Sequence, residues 1–184
     1  MAVSTLLSQK KLKPYLLVHP NCLPDLEPIR ISASESPNCV VLGDAVEGFS
    51  YENVNKAFRI LMKNDGGLYS LGKGKFYKED GELTLDVGAF TAALEYATGQ
   101  NAVICGKPSA DFFQSALTDM GVDASEAAMV GDDIVSDVGG AQKCGMLGIL
   151  VRTGKFRPSD ENHKEVQPDK IVDNLAAFVN ELLA

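Results

Sequence analysis

Short apolar blocks recur along this chain, each too brief for a helix and separated by segments of helical period. Tyr15 to Val18, Cys39 to Leu42 and Leu68 to Leu71 predict strands, the second buried. Residues 3–13 suit a short helix closed by Pro14. Ser50 predicts a helix cap, with Val54, Ala57, Phe58 and Leu61 on one face and Asn64-Asp65-Gly66-Gly67 as the stop. Phe90, Ala93, Leu94 and Ala97 stripe another helix, ended by Gly99. Residues 20–37, rich in Pro, Ser and Asn, predict a loop with a short strand around Ile29 to Ile31. Phe76-Tyr77 and Leu83-Thr84-Leu85, either side of Asp80-Gly81, predict a β-hairpin.

From Gln100 strand and helix alternate regularly. Strand 102–105 leads to a helix with Phe113, Ala116, Leu117 and Met120 on one side, closed by Gly121. Ala127 to Val130, suited to a strand covered on both faces, leads to a helix from about Ser136 to Lys143. Leu147 to Val151 and Ile171-Val172 are further strands, joined by a polar loop, and the last helix buries Leu175, Phe178, Val179 and Leu182. The pattern is α/β, with a domain boundary near residue 99 that separates residues 1–99 from 100–184. The chain has no internal repeat and no low-complexity tract.

Composition narrows the class. At 184 residues, 45% hydrophobic and 23% charged, the chain can bury a core, and no apolar run reaches membrane-spanning length. Met1 is followed by AVSTLLSQKK, which lacks a signal-peptide layout. Cys22, Cys39, Cys105 and Cys144 have no paired spacing and suit small core positions in a reducing compartment; the expected location is the cytoplasm, and the nucleus as well. A net charge of −8 argues against nucleic-acid partners. An anionic substrate then needs local positive charge, for which Lys107, Arg152, Lys155 and Arg157 are the candidates.

The densest chemistry is MVGDDIVSD, Met129 to Asp137. Asp132, Asp133 and Asp137 crowd the carboxyl end of a strand, the usual ligand crevice of an open α/β sheet. Their mutual repulsion would be relieved by a hard cation with phosphate oxygens in its shell. The alternative is that Asp132 or Asp133 caps the next helix while the others face solvent. Gly106-Lys107-Pro108-Ser109 follows the preceding strand, where a lysine can hold a phosphate or neutralise a carboxylate. Gly43-Asp44 also ends a strand but has no further acids beside it and predicts a helix-leading turn. Gly72-Lys73-Gly74-Lys75 lacks phosphate-loop spacing, and His19 and His163 stand apart from one another.

Strand-GKPS-helix followed by strand-GDDIVSD-helix and GGAQKCGM resembles motifs III and IV of the haloacid-dehalogenase-type (HAD) phosphatases. LKPYLLVHPN, PNCVVLGDA, SLGKGKFYKEDG, LDVGAFTAALEYATG and VRTGKFRPSDENH extend the likeness over nearly the whole chain, to a branch with a C2-type cap. The resemblance implies an α/β cap of the C2 type over residues 1–99 and the C-terminal half of a Rossmann-like parallel core over 100–184. It implies Mg²⁺-dependent phosphatase activity on phosphohistidine, phospholysine, imidodiphosphate and inorganic pyrophosphate, in phosphorylated small molecules or proteins, with a homodimer as the working form. Lys107 matches the phosphate-binding lysine, Asp132 the direct Mg²⁺ ligand, and Asp133 and Asp137 the supporting acids of the metal loop. The family's nucleophile and general acid lie in a DxDxT/V motif, and no D-x-D occurs between Met1 and Ala184. The chain therefore reads as starting at the cap, without motifs I and II, and as inactive by itself, with action through binding or dimerisation as the alternative. It also leaves Ala127 to Val130 with an unpaired edge.

Overall fold

The computed structural model describes residues 2–184, which divide into two compact units. One runs to Phe76 and resumes over Leu85–Gly106; the other comprises Tyr77–Thr84 and Lys107–Ala184.

The first unit opens with helix α1 (Ala2–Gln9) and strand β1 (Pro14–Leu17), followed by β2 (Cys39–Leu42), helix α2 (Tyr51–Lys63) and β3 (Leu68–Ser70). The hairpin β4 (Phe76–Glu79) and β5 (Glu82–Leu85), whose Tyr77–Thr84 belong to the second unit, turns at Asp80-Gly81, both with positive φ (48° and 88°), the conformation a tight two-residue hairpin needs. Helix α3 (Val87–Thr98) and strand β6 (Val103–Ile104) follow. β1, β2, β3 and β6 form one parallel sheet in that order. Alternation along β2 sorts the core: Val40 and Leu42 pack with Ala57, Leu61 and Leu94 of α2 and α3, while Cys39 and Val41 pack with Val3 and Leu7 of α1. Ser50 caps α2 by accepting from the Asn53 amide (3.2 Å), and left-handed Gly99 closes α3.

Three expectations change here. The segment expected to hold a strand near Ile29 to Ile31 instead forms tight i→i+3 turns over Pro24–Ile29, because two prolines remove donors and Leu26 and Ile29 bury three apart. On α3 the buried stripe is Val87, Thr91 and Leu94; Ala93 and Ala97 are exposed, and Phe90 instead stacks on Phe49 at 3.7 Å. The strand read with the second half, now β6, pairs with β3 in the first unit's sheet.

The second unit begins with Lys107 and helix α4 (Ala110–Met120), then β7 (Ala128–Gly131), a wide π-helical turn (Ile134–Gly139) that runs into α5 (Gly140–Lys143), β8 (Leu147–Val151), β9 (Lys170–Val172) and α6 (Leu175–Leu182). β7, β8 and β9 form a parallel sheet in chain order, so β7 is an edge. That position corrects the expectation of a strand covered on both faces: Ala127 is buried, but Ala128 is exposed and Met129 and Val130 are half-buried. Phe113 and Leu117 anchor α4 against Ala127, Ala141 and Met146, while Ala116 and Met120 face out. The last helix likewise buries less than its stripe promised. Phe178 packs toward Ile149, Val151 and Val172, but Leu175, Val179 and Leu182 stay open.

Candidate functional site

The loop that leaves β7 is built by close approach. A Cβ on Gly131 would overlap the Asp137 carboxyl group, so glycine here makes room for an acid folding back under the strand end. Asp133 caps the turn, its Oδ1 accepting from the Val135 and Ser136 amides (2.9 Å each). Its carbonyl receives the amides of both Asp137 (3.0 Å) and Val138 (3.2 Å), which is how the turn widens from α to π. Gly140 carries the chain past α4: a Cβ there would stand 2.7 Å from the Phe113 ring and 3.1 Å from Pro108. This packing sets Asp137 beside Lys107.

The three acids expected at the site take three different situations. Asp137 is buried, with Oδ2 accepting the Asp133 amide at 3.2 Å. Its Oδ1 is 2.7 Å from the Lys107 ammonium, at ion-pair distance but without hydrogen-bond alignment. Asp133 turns Oδ2 to the Lys155 ammonium at 2.8 Å. Asp132 is half-buried; its Oδ2 accepts the Lys155 backbone amide (2.8 Å), and its other oxygen has no partner among the described residues.

Electrostatics follow that geometry. Burial works to raise the Asp133 carboxyl, but the Lys155 ammonium and the Ser136 amide outweigh it and hold the group below its ordinary value. Burial likewise works against the Lys155 charge, and Asp133, helped by Asp132 and Asp137, more than restores it, so its pKa is raised. Of the other cations considered for an anion, Arg152 is held by Glu161 (2.7 Å) and Asp173 (2.9 Å), outside the acidic loop. Lys107 and Lys155 both meet it.

The alternative reading of a capping aspartate describes Asp133, whereas Asp137 is buried rather than solvated. Among the described residues no three His, Cys, Asp or Glu side chains are grouped to hold a metal, so Asp132, Asp133 and Asp137 are not assembled as one ligand set. Asp137 has its counter-charge in Lys107 and Asp133 in Lys155. The open Asp132 oxygen fits a hard divalent cation that completes its shell with water and phosphoryl oxygens. The sequence reading had Lys155 only as a general source of positive charge; its double grip on Asp132 and Asp133 depends on Gly154, whose Cβ would overlap Asp132.

Comparison with known proteins bears on this geometry. A family model described as HAD-hydrolase-like matches residues 104–178. The phospholysine phosphohistidine inorganic pyrophosphate phosphatase of Bos taurus is 56% identical over 99% of this chain and 67% of its own length. Among solved structures, the 4-nitrophenylphosphatase of Thermotoga maritima superposes with a TM-score of 0.83 at 27% identity, over 97% of this chain and 69% of that one. The glycerol phosphate phosphatase of Mycobacterium tuberculosis, crystallised with calcium, shares the fold at 22% identity and a TM-score of 0.78, over 96% of this chain and 54% of that one.

Proposed function

This chain belongs to the HAD-like hydrolases, among the phospholysine phosphohistidine inorganic pyrophosphate phosphatases, and from that we propose that its second unit supplies the lysine-and-carboxylate half of a phosphohydrolase site. The observation that supports this most directly is the Lys107 ammonium, 2.7 Å from the buried Asp137 carboxylate in the loop that also bears Asp132. Lys107 is 40% exposed, so its remaining donors can reach a phosphoryl oxygen, and Asp137 fixes where they point. Phosphatases of this family use a divalent metal. We take it to be Mg²⁺ held by the open oxygen of Asp132, where it would neutralise phosphoryl charge. Asp133 and Asp137 then act as supporting acids that shape the loop and hold the two lysines.

The substrates are phosphohistidine, phospholysine and inorganic pyrophosphate, as the relatives' name indicates. The residues before about 99, together with β6, serve as the C2-type cap and those from Lys107 onward as the core, in a cytoplasmic homodimer; four free thiols support a reducing location. The 184 residues contain no D-x-D pair to provide attacking carboxylate and general acid, so this chain by itself is inactive. Phosphate release from imidodiphosphate with Mg²⁺ should stay at background. Inorganic phosphate added with Mg²⁺ should shift the amide resonances of the 131–137 loop, and Lys107→Ala should abolish those shifts. Turnover comparable to the bovine enzyme would refute the inactivity, and phosphate shifts indifferent to Lys107→Ala would refute the site.

A second reading, binding rather than catalysis, draws support from two open apolar surfaces, the β7 edge and the Leu175, Val179 and Leu182 stripe of α6. Elution as a monomer at all concentrations in size-exclusion chromatography would remove that support.

A further inference from the structure

A turn with three carboxylates does not by itself determine which oxygen stays open. Here the decision is made by the Thr153-Gly154-Lys155 segment just beyond β8. β7 and β8 run parallel with Gly131 opposite Leu150, so the chain that leaves β8 passes the one that leaves β7. Gly154 has φ +56°, and any Cβ there would overlap Asp132 Oδ2. With glycine in place, the Lys155 N–H donates to Asp132 Oδ2 at 2.8 Å. The ammonium of the same residue lies 2.8 Å from Asp133 Oδ2, with both side chains under one-fifth exposed (18% and 17%). One residue thereby holds two successive carboxylates, the first by its backbone and the second by its side chain.

We propose that Lys155 is a positioning residue that sets the divalent-metal affinity of this loop in two opposed ways. Its N–H orients Asp132 with one oxygen outward, which favours a cation. Its ammonium cancels Asp133, which disfavours one. With Lys107 balancing Asp137, two of the three negative charges are answered from within the fold. The loop therefore takes a metal weakly until phosphoryl oxygens join the shell. This rests on the reading of Asp132 as the metal-facing acid.

The two arms can be cut separately in the full chain, with Mn²⁺ alone as the probe and paramagnetic broadening of the Gly131 to Asp133 amide resonances as the readout. Lys155→Met keeps the N–H and deletes the charge. The Mn²⁺ midpoint should fall about tenfold, as expected for removing one positive charge from a half-buried cluster. Lys155→Arg keeps the charge and should stay within about twofold of the unaltered chain. Gly154→Ala pushes the amide off Asp132 and should raise the midpoint about fivefold. Opposite shifts in two variants that both lower the thermal midpoint are not what a merely structural residue produces. If Gly154→Ala does not fold, the Met and Arg variants decide the matter by themselves. Midpoints that move in the same direction, or a Lys155→Met midpoint that does not move, overturn the inference while leaving Asp132 as the metal-facing acid. No broadening of the unaltered chain at millimolar Mn²⁺ overturns both.

Discussion

Each unit contains a parallel strand that ends in Gly-Asp, and only one of the two ends is chemically equipped. After β2, Gly43-Asp44 leads into a short turn; Asp44 Oδ1 accepts the Val46 amide at 3.4 Å, and no cation among the described residues pairs with it. After β7, Gly131-Asp132 meets the Lys155 amide, and the next two acids meet the Lys155 and Lys107 ammoniums. The strands differ in the opposite sense: β2 is buried throughout its length, while β7 is a half-covered edge. Strand burial and a Gly-Asp end are thus insufficient for a site. What differs is whether distant chain returns a counter-charge to the strand end, Lys155 from beyond the next strand and Lys107 from before the preceding helix.

The largest expected effect tests that contrast directly. Asp137→Ala removes a buried carboxylate from Lys107 and from the Asp133 amide, and should cost about 2 kcal/mol, less than a fully buried pair because Lys107 is half-exposed. Asp44→Ala should stay within about 0.5 kcal/mol. Urea midpoints for the two variants check this, and equal losses would mean that the returning lysines do not distinguish the two ends. The glycines sharpen the same point. Gly131→Ala must displace Asp137 and should cost about 1–2 kcal/mol. A Cβ on Gly43 would meet only the Leu71 and Val18 side chains at 3.1–3.4 Å, which can yield, so Gly43→Ala should cost about 1 kcal/mol or less.

This contrast also marks what the sequence made legible. The strands other than the one expected near Ile29 to Ile31, the caps at Ser50, Gly99 and Gly121 and the acidic turn after β7 are local signals, and each appears where periodicity and turn chemistry predict it. The depth of burial was not legible. The apolar stripes of α3 and α6 looked like core, yet Ala97 and Leu182 are exposed, because periodicity gives a face and says nothing of whether a partner covers it. Adjacency in sequence groups β6 with the strands that follow it, whereas its partner β3 lies across α3. At the site, Lys107 could be linked to the acids through a shared pattern of motifs. The roles of Lys155 and Gly154 could not, since they arise from the register of β7 on β8 rather than from any spacing.

The smallest effect removes the partner and leaves every aspartate in place. Asp133 is held below the ordinary carboxyl value: burial opposes its charge, and Lys155 followed by the Ser136 amide overcomes it. A depressed folded pKa means that its contribution is complete above the unfolded value of about 3.9 and is lost as pH falls through the folded one. Lys155 is raised, so its contribution is complete below about 10.4 and is lost as pH climbs through its folded value. The pair should therefore give a level contribution of about 1 kcal/mol between roughly pH 5 and 10, with losses on both sides. In Lys155→Met, burial of Asp133 is no longer opposed by the ammonium. Its carboxyl then protonates at higher pH, and the fall in urea midpoint between pH 5 and 3 should become shallower. An acid limb that keeps its full slope in Lys155→Met would place the effect in the turn's own amides, and the two Gly-Asp ends would then differ by local sequence alone.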